Sequence, residues 1–212
     1  MFLQVWNAIR KTDEGYGAFL PHKHYEEAFQ GKGFIQPYAD NPLDHEIVGE
    51  NVYLNIINTA NKYVYIYTPY LIIDNEMITA LCLAAKRGVD IKIVTPGIPD
   101  KKMVFWLTQS YYRQLVEAGI HIYEYTPGFI HAKCFASDDK VATVGTINMD
   151  YRSLYLHFEN GVFMYNNDAV MQVKHDMEKT FEISQRITKE MCQGSLKKTL
   201  AQSVLRLLAP LL

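Results

Sequence analysis

Residues 128–160 read GFIHAKCFASDDKVATVGTINMDYRSLYLHFEN, and the reading of this stretch decides the fold. Two strand-like runs, 130–136 and 140–145, flank the turn-forming Ser137-Asp138-Asp139, which predicts a hairpin. Residues two apart on a strand face the same side. His131 and Lys133 therefore sit side by side, and Cys134 turns away toward the core. An imidazole next to an ammonium suits a phosphate: the imidazole can attack phosphorus or, when protonated, give a proton to the leaving oxygen, while the ammonium binds the non-bridging oxygens. The returning strand delivers Gly145, which permits a close backbone approach, and then Thr146 and Asn148, whose short hydroxyl and amide groups can bind the same phosphate. Glu159 follows. A carboxylate on one imidazole nitrogen would fix the tautomer and leave the other nitrogen free to react, so Glu159 is assigned as the residue that orients His131.

Upstream of the hairpin the pattern alternates between the two periods. A helix over 46–60 leads into a β-branched and aromatic strand over 63–68. Asp74 then caps a helix with Met77, Ile78, Leu81, Cys82 and Ala85 on one face, stopped by Gly88. A strand over 90–95, a helix over 101–118 ending at Gly119, and a strand over 121–125 continue the series. Downstream come a strand over 161–165 and a long helix opened by Asp168, with Val170, Val173, Met177 and Phe181 at core-facing spacing. Such alternation predicts an α/β fold, an α-β-α sandwich on a mixed, largely parallel sheet. Three segments result: a helix and loop over 1–33 with breakers such as Gly15, Gly17 and Pro21, a main module over 34–190, and an amphipathic helix over 191–212 begun by Gly194-Ser195. The tyrosines at 63, 65, 67 and 70 read as core or cleft wall.

The 212 residues are 49% hydrophobic and 21% charged, with a formal net charge of -2. That is globular composition, and it gives no basic field to support nucleic-acid binding. Cys82, Cys134 and Cys192 are odd in number and without CxxC spacing, so neither a disulfide framework nor a zinc site is indicated. No apolar stretch reaches the ~18–20 residues of a membrane span. Neither a metal nor another cofactor is expected.

His131-Ala132-Lys133, four intervening residues, Asp138, then Gly145-Thr146 and Asn148, resembles the HxKxxxxD and GTxN signature of the phospholipase D superfamily, with Glu159 matching its downstream acid. The flanks Thr68-Pro69-Tyr70, Gly88-Val89-Asp90, Gly97-Ile98-Pro99-Asp100-Lys101, Tyr123-Glu124-Tyr125 and Asn148-Met149-Asp150-Tyr151-Arg152-Ser153 are similar to second modules of bacterial cardiolipin synthases, and the resemblance runs over nearly the whole chain. It implies a phosphatidyltransferase with His131, Lys133 and Asp138 as the catalytic motif. His131 takes part in a phosphohistidine double displacement, Lys133, Thr146 and Asn148 bind the phosphate, and Asp138 fixes local structure. The implied reaction joins two phosphatidylglycerols into cardiolipin and glycerol, with the chain expected peripherally at the cytoplasmic face of the membrane or in the cytoplasm.

Family members use two such motifs, and this chain has one. Residues 1–10 resemble the last helix of a first module. His22, His24, His45, His121, His157 and His175 lack a lysine two positions on, and His121, His157 and His175 read as structural. The site then needs a homodimer or a separate first-module chain. A one-motif phosphodiesterase or nuclease acting as a homodimer, and an inactive remnant or membrane-associated interaction module, are the rival expectations.

Overall fold

The computed structural model describes residues 1–13, 15–19, 31–44, 46–194 and 196–211. The loop expected through Pro21, His22 and His24, His45, and the cap residue Ser195 lie outside the described residues. Two compact units are present, Met1–Lys32 and Gly33–Leu212. In the first, helix α1 (Phe2–Arg10) ends at Lys11 with φ 54°, and the Arg10 guanidinium lies 5.0 Å over the Trp6 ring.

The second unit is built on a sheet whose central strand, β2 (Tyr63–Tyr67), is buried at every residue. Its alternation divides the core. Val64 and Ile66 join the larger apolar cluster on one side of the sheet, and Tyr63, Tyr65 and Tyr67 join a smaller one on the other. Helix α2 (Val48–Thr59) precedes it, anchored where the Asp40 carboxylate accepts the Gly49 N–H at 2.7 Å. Helix α3 (Asn75–Lys86) starts as predicted, the Asp74 side chain accepting the Met77 N–H at 2.8 Å, and ends before Gly88 at φ +93°. Strand β4 (Asp90–Pro96), helix α4 (Lys102–Glu117) and strand β5 (His121–Tyr125) complete the alternating half.

Strands β6 (Cys134–Ser137) and β7 (Val141–Gly145) form the predicted hairpin. Asp138 and Asp139 both take positive φ, 55° and 60°, and Lys140 N donates to Ser137 O at 3.0 Å. Two left-handed central residues are the mark of a type I′ turn, which Asp tolerates better than most residues. Strand β9 (Glu159–Tyr165) pairs with β7, and helix α5 (Asp168–Glu182) crosses the face opposite α2, α3 and α4.

With edge strands β1 (Phe34–Asp40) and β10 (Ser184–Arg186), the order is β1-β9-β7-β6-β2-β4-β5-β10. The fold is the expected α/β sandwich on a mixed sheet. Five of its eight strands (β1, β2, β4, β5 and β7) run in one sense, although the parallel neighbours are confined to β2–β4 and β4–β5. A small parallel pair, β3 (Leu71–Ile72) with β8 (Met149–Asp150), sits beside it, and helix α6 (Leu196–Leu207) packs on α4.

One acidic pair is buried under α3. Glu50 is 2% exposed and Asp74 is 7% exposed. Tyr155 Oη donates to Asp74 Oδ2, and Glu50 Oε1 has no hydrogen-bond partner among the described residues. Burial first, and then the neighbouring Asp74, push the Glu50 carboxyl up to about 7. A carboxyl raised above its unfolded value near 4.3 costs stability as pH rises through that interval and costs nothing below it. Glu50→Gln is therefore expected to raise the unfolding temperature at pH 8 and to make little difference at pH 4, as thermal melts at the two pH values would show.

Candidate active site

The site lies where the parallel strands end, the usual place for ligands in open α/β sheets. Tyr67, last residue of β2, pairs with Cys134, first of β6, so residues 131–133 run beside the Thr68–Tyr70 turn. The strand predicted to start at residue 130 begins at Cys134, and His131 and Lys133 precede it. Their adjacency survives because the ladder reaches one bond further, from Gly145 N to Lys133 O at 3.1 Å. Lys133 is 8% exposed, and its Nζ lies 3.1 Å from His131 Nδ1 and 2.7 Å from His131 O. The imidazole is exposed, with the Phe129 ring at 5.8 Å and the Tyr70 ring at 6.5 Å.

An ammonium only donates, so Nδ1 is the acceptor and the neutral ring carries its proton on Nε2. Partial burial and the Lys133 charge hold the His131 pKa below 6.5, while Lys133 is lowered by burial against the opposing pull of Glu159 and Asp150. Removing the ammonium without changing bulk, as in Lys133→Met, is expected to move the His131 titration upward toward 6.5. An NMR titration of the imidazole protons checks this.

The partners of the other motif residues differ from the sequence expectations. Glu159 is 8% exposed and carries no bond to His131; its carboxylate accepts the Thr146 hydroxyl proton and faces His157 Nδ1 at 3.9 Å. Thr146, expected to donate to phosphate, spends its one hydroxyl proton on Glu159. Asn148 Nδ2 donates to Ser153 Oγ at 2.9 Å, and its buried Oδ1 has no partner among the described residues. Turned over, the amide would accept from the Ser153 hydroxyl and place its N–H groups where Oδ1 now lies.

Asp138, grouped with the motif by sequence and expected to fix local structure, lies away from His131. Its carboxylate accepts three backbone N–H bonds, from Asn61 (2.7 Å), Lys62 (2.9 Å) and Tyr63 (3.0 Å). Seven residues of near-extended chain separate it from His131, about 20 Å at strand rise, so it stands at the opposite end of β6. Gly145 is also used differently. A Cβ there would lie 2.4 Å from Asn160 O, so the close approach it permits is by strand β9.

A cleft of about 200 Å³ opens beside Asn148 and Glu159, lined also by Tyr70, Lys101, Arg152 and His157. His157 reads as structural in the sequence, yet its Nε2 accepts from Arg152 Nε at 2.6 Å. The signal for this wall was the dense polar run 148–153 followed by a π-helical turn, Arg152–Leu156, an element enriched at functional sites.

The described geometry is that of an α/β sandwich with a histidine and a lysine in contact where its parallel strands end. A solved phospholipase D family member, Nuc from Salmonella typhimurium, has the same fold, with a TM-score of 0.61 at 18% identity over 74% of this chain and 99% of that one. The family model described as "Cardiolipin synthase, PLD-like domain" matches residues 53–182. The chain belongs to that family. A cardiolipin synthase of Clostridium perfringens (strain SM101) is 38% identical over 197 residues, covering 85% of this chain and 41% of the relative. An uncharacterized protein of Streptococcus mutans serotype c is 51% identical over 213 residues, covering all of this chain and 46% of the relative. The chain thus spans less than half the length of these curated relatives.

Proposed function

We propose that this chain supplies one half of a phosphatidyl-transfer site that converts two phosphatidylglycerols into cardiolipin and glycerol. The observation that carries the reading is the 3.1 Å contact between Lys133 Nζ and His131 Nδ1, with the ring of Tyr70, a cleft residue, 6.5 Å from the imidazole. In the first step a P–N bond forms as the bond from phosphorus to glycerol breaks, and glycerol leaves with a proton. In the second, the hydroxyl of another phosphatidylglycerol attacks phosphorus, the P–N bond breaks and the proton passes to a base. Lys133 balances the charge that builds on the non-bridging oxygens.

With the ammonium on Nδ1, Nε2 holds the proton and donates hydrogen bonds. A phosphate that draws Lys133 away releases Nδ1 to take the proton, and Nε2 becomes nucleophilic. Among the described residues no carboxylate is bonded to His131 to hold that second tautomer, which supports a site completed by another motif, from a second copy or a first-module chain. Asp138, Thr146 and Glu159 act through structure, tying down β2 and the wall behind Lys133.

No helix among the described residues is long and apolar enough to cross a membrane. Helix α6 exposes Leu200 (70%), Val204 (51%) and Leu207 (81%), which supports peripheral contact with the cytoplasmic membrane surface.

Labelled phosphatidylglycerol in mixed micelles, given to the chain alone and to the chain mixed with a first-module partner, tests the reading. Cardiolipin from either preparation, with a solution mass showing a two-module complex, is the expected result; no product from either removes the assignment. A second reading, a one-motif phosphodiesterase that pairs with itself, is favoured by the match over 99% of the Salmonella protein, since a whole chain of this fold carries a single module. Phosphodiester cleavage without cardiolipin would select it.

A further inference from the structure

We propose that Arg152, seated by His157 on a cleft that Lys101 also lines, forms a second anion subsite that takes the non-reacting phosphodiester of the acceptor lipid. The inference rests on the phosphatidyl-transfer reading. It starts from a charge count: Lys133, buried and bonded to His131, and its counterpart in the completing motif are taken up by the reacting phosphate, which leaves a second phosphodiester without a cation. An acceptor that brings its own phosphate needs a second cation within reach of the first. An uncharged alcohol does not.

Arg152 is placed for this. It begins the π-helical turn, and the next residue, Ser153, is 3% exposed and fixed twice, its N–H on Asp150 Oδ1 at 2.7 Å and its Oγ on Asn148 Nδ2. The arginine is thus tied through its neighbour to the phosphate-binding asparagine. Arg152 Nε donates to His157 Nε2 at 2.6 Å, which puts the His157 proton on Nδ1, the nitrogen that faces Glu159 Oε1 at 3.9 Å. Nε is occupied in aiming the side chain, and the two Nη groups have no protein acceptor among the described residues. A guanidinium held by one edge presents the planar pair of donors that matches a phosphate bidentately.

Lys101 lines the same cleft and adds a point charge. Two acids share the wall, Asp150 bonded to the Ser153 N–H and Glu159 to the Thr146 hydroxyl, and both also act on Lys133, so their charge is divided between the two cationic groups. Glu159 acts on both, with its field on Lys133 and its second oxygen toward His157.

The test is a calorimetric titration of glycerophosphoglycerol, the deacylated headgroup of phosphatidylglycerol, into the full chain carrying His131→Ala and Lys133→Ala. Binding is expected to persist in that background and to weaken at least tenfold when Arg152→Gln is added, with Arg152→Lys intermediate. Inorganic phosphate, titrated alongside, should bind at least tenfold more weakly than glycerophosphoglycerol. Equal binding with and without Arg152 overturns the subsite, and equal affinity for the two probes overturns its assignment to an acceptor lipid. Circular dichroism of each variant checks that the fold is kept. In the completed site, Arg152→Gln should lower the ratio of cardiolipin to phosphatidylethanol formed when ethanol competes as acceptor. The titration needs no turnover, so its failure is distinct from failure of the transfer assay.

Discussion

Replacing His131 with alanine is expected to lower kcat/KM in the completed site by at least about 10³-fold, because the group that would form the bond to phosphorus is gone rather than misplaced. The fold should not register the change. The imidazole is exposed, its contacts are two ring edges and one amine, and truncation of an exposed side chain seldom moves stability by more than about 0.5 kcal/mol. Thermal melts and phosphatidyl transfer measured on the same preparations should therefore separate completely. Undiminished transfer by the purified variant would remove His131 from the chemistry.

Asp138→Asn should show the reverse pattern. Its carboxylate gathers the N–H groups of Asn61, Lys62 and Tyr63, and a neutral amide can accept them only through one oxygen. Hydrogen bonds to a charged acceptor contribute about 1.5–3 kcal/mol each, and weakening this set is expected to cost about 2–3 kcal/mol in all. For a domain of this size that is a fall of roughly 5–10 °C in Tm. The pH dependence has a definite sign. The three backbone donors hold the Asp138 carboxyl below its usual 3.8, so the stabilisation is present above the unfolded pKa and is lost as pH falls through the folded one. The gap in Tm between wild type and variant should be full at pH 7 and close in acid. Below its melting range the variant should keep transferring, since the change lies at the far end of β6.

The alternating half of the fold was legible because each element there carries its own period and its own punctuation, Asp74 at one helix start, Gly88 and Gly119 at helix ends. The edges were not. Strand β1 contains Pro37 and runs into Asp40-Asn41-Pro42, which reads locally as turn; it is held as an edge strand by pairing with β9 across more than a hundred residues. Strands β3 and β8 are two residues each, too short for any periodicity. In the site, the His131–Lys133 contact was legible because it is local. The bonds of Glu159 to Thr146 and of Arg152 to His157 depend on how β9 and the π-helical turn fold back over β7, and side-chain spacing alone does not report that.

The tight turn that places Asp138 on the amide groups of residues 61–63 makes the interval back to Lys133 a fixed gauge. With its lower end clamped, the segment cannot slide to absorb an extra or missing residue. A single insertion or deletion between the two would rotate the amine to the opposite face while the clamp stayed shut. What looks in print like one motif is therefore a working tip and its mounting, spaced by the height of the sheet.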